Sequence, residues 1–154
     1  AEVANRAGIR LVIEDEGSCN AGTGRELAKI LTLAPAVNLG ANWDIGNGYW
    51  QGEVSFPDGY NALDKKRIWH MHLKGVACDT DLKNCSETLA GQRQVDLVGQ
   101  FRQLVRDEYQ ETMSLECEFE VSGLTHLETT KRSLEGLLRA MASALAKDTR
   151  YHPG

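Results

Sequence analysis

Four short apolar runs punctuate the chain, and each ends on an acidic residue or a histidine. They are Ile9–Glu14 (IRLVIE), Val37–Asp44 (VNLGANWD), Ile68–His72 (IWHMH) and Met113–Glu116 (MSLE). Their β-branched and aromatic content predicts buried strands. The first two intervals between run ends are about thirty residues, the length of one strand–helix unit, and the third is longer. Helical spacing fills the gaps. Leu27, Ile30 and Leu31 predict a helix over Gly24–Leu33, capped by Thr23 or Ser18. Leu97, Phe101, Leu104 and Val105 predict another, with Asp96 as N-cap. Leu134, Leu137, Leu138, Met141 and Leu145 predict a long amphipathic last helix. The opening AEVANRAGIR reads as the end of a helix entering a strand, which places the true N-terminus elsewhere.

Two stretches break this rhythm. Ile45–Tyr60 is rich in glycine and aromatics and leads to a short helix near Asn61–Lys66. Lys74–Val95 reads as a second long polar loop. Loops of this length in a compact domain are more often functional than idle. Strand then helix, four times over, predicts an α/β domain with a parallel sheet spanning residues 1–154. Four βα units form either a small open doubly wound sheet or half of an eight-stranded barrel. Polar residues at every strand end favour the half barrel, because α/β barrels place their chemistry there.

Composition narrows the classes. The chain has 154 residues, 42% hydrophobic and 25% charged, enough for one domain with a real core. A net charge of −5 without a basic stripe argues against a nucleic-acid partner. No apolar run reaches membrane-spanning length, and no signal peptide opens the chain. Cysteines stand at 19, 78, 85 and 117 without a CxxC pair, so a zinc knuckle is not expected. The reading is four reduced thiols in a cytoplasmic protein, with a Cys78–Cys85 disulfide across a loop as the alternative.

Glu14, Asp44, His72 and Glu116 are hard-to-borderline ligands, suited to a divalent cation, Mn²⁺ or Mg²⁺ first, with Co²⁺ or Zn²⁺ as alternatives. Taken singly, each has a plainer reading. Glu14 would be an exposed acid at a strand end, and Asp44 would cap a turn. His70 and His72 share one strand face, and His72 lies nearer the carboxyl end, so His70 is assigned to packing.

In order and spacing these segments resemble the sugar phosphate isomerase/epimerase family, the xylose isomerase-like TIM barrels. LVIEDE resembles the strand-five motif ending in a metal-binding Glu, and TGRELAKIL the helix after it. NLGANWDIGN resembles "nxDpgN" of strand six, and RIWHMHLKG resembles "RIxHvHlKD" of strand seven. GQRQVDLVGQFRQL resembles "GxGxvdw", MSLE strand eight, and SLEGL the final helix. Departures are Gly75 in place of the acid of HlKD, Gly91-Gln92-Arg93 for GxG, and Glu116-Cys117-Glu118 where relatives read ETH. The family's first four strands have no counterpart, so the resemblance implies the C-terminal half of a TIM (β/α)8 barrel.

The resemblance implies metal ligation by Glu14, Asp44, His72 and Glu116, with Glu14 and Glu116 as the catalytic pair. A divalent cation would bind the carbonyl and neighbouring hydroxyl of a sugar or sugar phosphate and stabilise an enediolate. Two carboxylates on opposite faces would then remove and return the proton. Aldose–ketose isomerisation and epimerisation both fit this set, and a related sugar or inositol dehydration is the alternative. Asn47, Lys74 and Trp50 are the candidate substrate contacts; Asn47 could instead fix its loop, and Lys74 could simply be solvated. Trp43 is read as core, and Arg67 and Arg93 as weak phosphate candidates. An endonuclease-type trinuclear site is discounted, because DTDLKNCSETLAG lacks the required His. The competing class is a non-catalytic half-barrel binding or assembly module. Two unpaired sheet edges predict a homo-oligomer or pairing with the missing half, and the inner strand faces, with Val12, Leu39 and Ile68, are expected to face water.

Overall fold

A computed structural model describes residues 1–92 and 94–146. Arg93, one of the phosphate candidates, lies outside the described residues. A short helix α1 (Glu2–Arg6) precedes strand β1 (Leu11–Glu14), helix α2 (Gly24–Leu33) and strand β2 (Leu39–Asp44). The short helix α3 (Tyr60–Ala62) and a 3-10 turn, Lys65–Arg67, take the place of the single helix expected near Asn61–Lys66. Strand β3 (Ile68–Leu73) follows, then β4 (Gly75–Cys78), β5 (Cys85–Thr88), α4 (Leu97–Arg106), β6 (Thr112–Leu115) and α5 (His126–Leu145). The caps obey the sequence. Thr23 accepts from the Glu26 amide and Asp96 from the Gly99 amide, each satisfying a donor that the first turn leaves open.

The four-stranded sheet is ordered β1-β2-β3-β6, and every pair in it is parallel. Strand order follows chain order without reversal. A doubly wound sheet reverses direction at its middle, so this winding is that of successive barrel strands. The core lies on one face only. Ala41, Trp43, Met71 and Leu73 alternate along β2 and β3 and are at most 2% exposed. They share a cluster with Leu27 and Leu31 of α2, Leu97, Phe101 and Leu104 of α4, and Leu137 and Ala140 of α5. Trp43 is core, as expected, and its ring leans on Tyr60 at 6.4 Å between centroids.

The opposite face corrects the expectation in part. Val12 is 44% exposed, but Ile68 is 2% exposed and Leu39 packs against the core. A register shift accounts for Ile68. Ala41 pairs with Ile68 while Asn42 pairs with His70, so Trp69 is an extra residue in β3. The bulge groups Ile68 with core-facing Ala41 and His70 with Asn42. Trp69 lies over Gly40, where a Cβ would sit 2.5 Å from its ring. Across the open face, the Arg10 guanidinium donates to both oxygens of Glu111 at 2.6 and 2.9 Å, linking segments next to the two outermost strands.

Two further expectations fail in the Lys74–Val95 segment. It holds an antiparallel hairpin, β4–β5, rather than a loop alone. The turn is closed by Asp79, whose carboxylate accepts from the Lys83 amide at 2.8 Å and Asn84 Nδ2 at 2.6 Å. The hairpin register sets Cys78 directly opposite Cys85, and the two form a disulfide. Only Cys19 and Cys117 are free thiols. The expectation of four reduced cysteines is therefore wrong, and the thiol argument for a cytoplasmic location goes with it. No helix among the described residues is long and apolar enough to cross a membrane.

Candidate metal centre

Parallel pairing carries the chemistry to one end. The register aligns Glu14 with Asn42, Asp44 with His72, and His72 with Ser114. Glu116 stands just past β6, held because its amide donates to the Leu73 carbonyl at 2.9 Å. The four predicted ligands converge. His72 Nδ1 lies 3.0 Å from Glu14 Oε1, 3.6 Å from Glu116 Oε1 and 3.8 Å from Asp44 Oδ2. One donor atom from each residue falls within 4.8 Å of all the others. Ligand bonds of about 2.0–2.3 Å to a small divalent cation separate opposed ligands by roughly 4–4.6 Å. The spacing and the donor set therefore fit such an ion.

Local chain geometry presents the Asp44 carboxylate to this centre. Its Oδ1 accepts from the amides of Gly46 at 2.7 Å and Asn47 at 2.9 Å, closing an Asx turn. Its Oδ2 is buried with no aligned hydrogen bond, and its nearest cation is Lys74 Nζ at 3.1 Å. Burial pushes the Asp44 carboxyl up to about 7, against the pull of Lys74. Burial also works to raise Glu116, but Lys74, a hydrogen bond with Asp44 and the nearby His72 together outweigh it and hold the acid below its ordinary range. For Lys74 itself, burial lowers the ammonium and the Asp44 and Glu116 carboxylates more than reverse that.

The candidate substrate residues fall beside the centre. Lys74 is buried, contacts Glu116 and Asp44, and donates to Asn47 Oδ1 at 3.1 Å. It is not a solvated lysine. Asn47 Nδ2 donates to the Asp15 carbonyl at 2.8 Å, so its amide also fixes the loop. Asn47, Lys74 and Trp50 line a cavity of about 400 Å³ with Glu16, Gln51, Glu87 and Glu118. Arg67 is elsewhere. It donates to the Leu39 and Leu31 carbonyls, which ties the start of β3 to the preceding unit and removes it from phosphate binding.

Three contributors escaped the sequence reading. Asp15 is fully buried, its Oδ1 accepting from the Asp44 amide at 2.7 Å, and burial drives its carboxyl well above the usual range. Glu87 reaches the cavity wall on the unforeseen hairpin. Asn42 faces His72, with Nδ2 at 3.1 Å from Nε2. Period-two alternation back from Asp44, and the first n of the nxDpgN motif, were the available signals for Asn42.

The comparisons agree with the fold. The profile of the xylose isomerase-like TIM barrel family matches residues 1–142, and the chain belongs to that family. No match was found among curated proteins. A xylose isomerase-like TIM barrel protein from Mycobacterium smegmatis, in complex with magnesium, aligns with TM-score 0.71 at 15% identity, over 93% of this chain and 47% of its own. The IOLI protein with a bound zinc atom aligns with TM-score 0.72 at 16% identity, over 94% and 53%. The 3-keto-D-glucoside 4-epimerase from E. coli aligns with TM-score 0.66 at 17% identity, over 90% and 49%. The chain thus spans about half the length of these structures, and its fold is half of a TIM barrel.

Proposed function

We propose that the chain carries the metal centre of a divalent-metal-dependent sugar or sugar phosphate isomerase or epimerase. The observation that carries this reading is the convergence of Glu14, Asp44, His72 and Glu116 at the strand ends. An epimerase among similar folds, and magnesium and zinc in others, support it. When bound, the ion would polarise the substrate's carbonyl and adjacent hydroxyl and make the carbon between them acidic. Glu14 and Glu116 come from the outer strands β1 and β6, so they flank the centre from two sides. In this reading one removes the proton through a carboxylate oxygen and the other returns it on the opposite face. Lys74 favours the ionised, base-competent form of Glu116. Trp50 would wall the sugar, with Asn47 and Lys74 as its polar contacts.

The same reading includes a partner. Leu127, Leu134, Leu138 and Leu145 are exposed along α5, and Leu33 at the end of α2 and Val37 just before β2 are exposed as well. Unpaired strand edges with apolar neighbours favour pairing with a complementary half barrel or a second copy.

Two measurements test the function. Metal analysis of the purified chain after incubation with Mn²⁺ and desalting should find near-stoichiometric ion; a negligible content would favour the non-catalytic module instead. In a complete barrel, Glu116→Gln should abolish exchange of solvent deuterium into the substrate at the reacting carbon. A carboxamide keeps the shape of the side chain but cannot act as a base, so wild-type exchange in that variant would remove Glu116 from the role.

A further inference from the structure

We propose that the Lys74 ammonium is a tethered stand-in for the cation: it holds two ligand carboxylates in the metal-free protein, leaves them when an ion binds, and so sets the affinity of the centre. This rests on the metal reading above. Asp44 is where the two charges meet. Its Oδ1 is taken by the Gly46 and Asn47 amides, so Oδ2 is the atom left to ligate. Lys74 Nζ lies 3.1 Å from that oxygen and also touches Glu116 Oε2. Neither oxygen has an aligned hydrogen bond, whereas Nζ does donate to Asn47 Oδ1 at 3.1 Å. Toward the two ligands, then, the ammonium acts as a charge rather than as a directed donor, as a metal ion would.

The chain makes room for this placement. A Cβ on Gly46 would lie 2.5 Å from Lys74 Cγ and 2.7 Å from its Cδ, so a larger residue there would push the stem aside. An ion on Asp44 Oδ2, at a ligand bond of about 2.1 Å, would stand within roughly 5 Å of Nζ as it is placed now. At that distance the repulsion between a divalent ion and an ammonium is worth about tenfold in affinity even in a medium as polar as water, and more at a partly buried centre. Lys74 has somewhere to go. It lines the cavity of about 400 Å³ together with Glu16, Glu87 and Glu118, whose carboxylates receive the displaced ammonium. Glu116 stays ionised throughout, since one positive charge replaces another. The ammonium then stands beside the sugar, in the contact that the proposed function gives it.

Calorimetric titration with Mn²⁺ compares the wild-type chain with Lys74→Met, in mildly alkaline buffer where protons compete least for the carboxylates. The variant keeps the stem and drops the charge. It should bind Mn²⁺ at least about tenfold more tightly. A merely structural lysine predicts the reverse, because a disturbed centre binds less well. Equal or weaker binding by Lys74→Met overturns the proposal. Should that variant fail to fold, the wild-type chain decides. Acylation with N-acetoxysuccinimide, mapped by peptide mass spectrometry, should find Lys74 protected in the metal-free chain and reactive once Mn²⁺ is bound, with the exposed Lys83 as the reference. The same reactivity in both states overturns the proposal. Absence of Mn²⁺ binding in wild type and variant alike sinks the metal reading and this inference with it. Mn²⁺ binding that is indifferent to residue 74 leaves the metal reading standing and removes only this inference.

Discussion

The two faces of the parallel sheet obey different rules. On the helix-covered face, Ala41, Trp43, Met71 and Leu73 are at most 2% exposed, and apolar side chains from α2, α4 and α5 complete the packing. On the concave face, Val12 is 44% exposed, and the other strands present Asn42, His70, Thr112 and Ser114 there. The first face stabilises the fold, because burying apolar surface contributes roughly 25 cal/mol per Å². The second works against it by gathering three carboxylates, a cost that the Lys74 ammonium offsets only in part. Stability and chemistry are thus separated by the two-residue period of a strand. Altering one face should move folding, and altering the other should move ion binding.

The largest effect lies on the packed face. Trp43→Ala should cost about 3–5 kcal/mol in denaturant unfolding, since it empties the space between sheet and helices. A loss under about 1 kcal/mol would mean that this face does not hold the fold together. Next comes the concave face. Glu116→Gln should weaken Mn²⁺ binding by more than the roughly 100-fold ceiling for changes to outer-shell partners. The metal-free variant should unfold within about 1 kcal/mol of wild type, as expected away from cores. A large loss of stability with intact Mn²⁺ affinity would reverse the assignment of the two faces. Smaller again is the hairpin at the mouth. Replacing both Cys78 and Cys85 by serine should cost roughly 2 kcal/mol or less, because the loop that the disulfide closes is short. Mn²⁺ affinity should not change, since none of the four candidate ligands lies on the hairpin.

These two faces were unequally legible in the sequence. Strand ends and helix caps could be read because they rest on local rules. Thr23 and Asp96 cap where expected, and Glu14, Asp44, His72 and Glu116 each close an apolar run. The α5 start at His126 was also readable, through the Thr125–Glu128 capping box, but the leucine spacing pointed only to its later turns. The hairpin was not readable. Each of its strands has four residues and no apolar–polar alternation, so nothing separated GVAC and CSET from loop. The disulfide depends on which residues of that hairpin pair, which cysteine spacing alone does not fix. Asp15 shows the same limit. Its carboxylate is held by the Asp44 backbone across the sheet, a contact between residues 29 apart in sequence. The bulge at Trp69 moved Ile68 into the core, and a strict two-residue alternation could not have foreseen it.

The smallest expected effect is the most exacting test of the contrast, because it concerns an apolar side chain that breaks the concave pattern. Val12 lies on the same strand face as Glu14, two residues below it, and is 44% exposed. In the isolated chain at concentrations where it sediments as a monomer, Val12→Ser should change unfolding stability by less than about 0.5 kcal/mol, as surface substitutions usually do. At concentrations where the chain associates, the same substitution should shift the sedimentation profile toward monomer. A partner that completes the barrel covers this face, and the serine hydroxyl would then be buried without a certain acceptor. A cost well above 1 kcal/mol in the monomer would show that the face is already packed within one chain. No effect at either concentration would show that association, where it occurs, leaves the concave face in water and uses the exposed leucines of α5 instead.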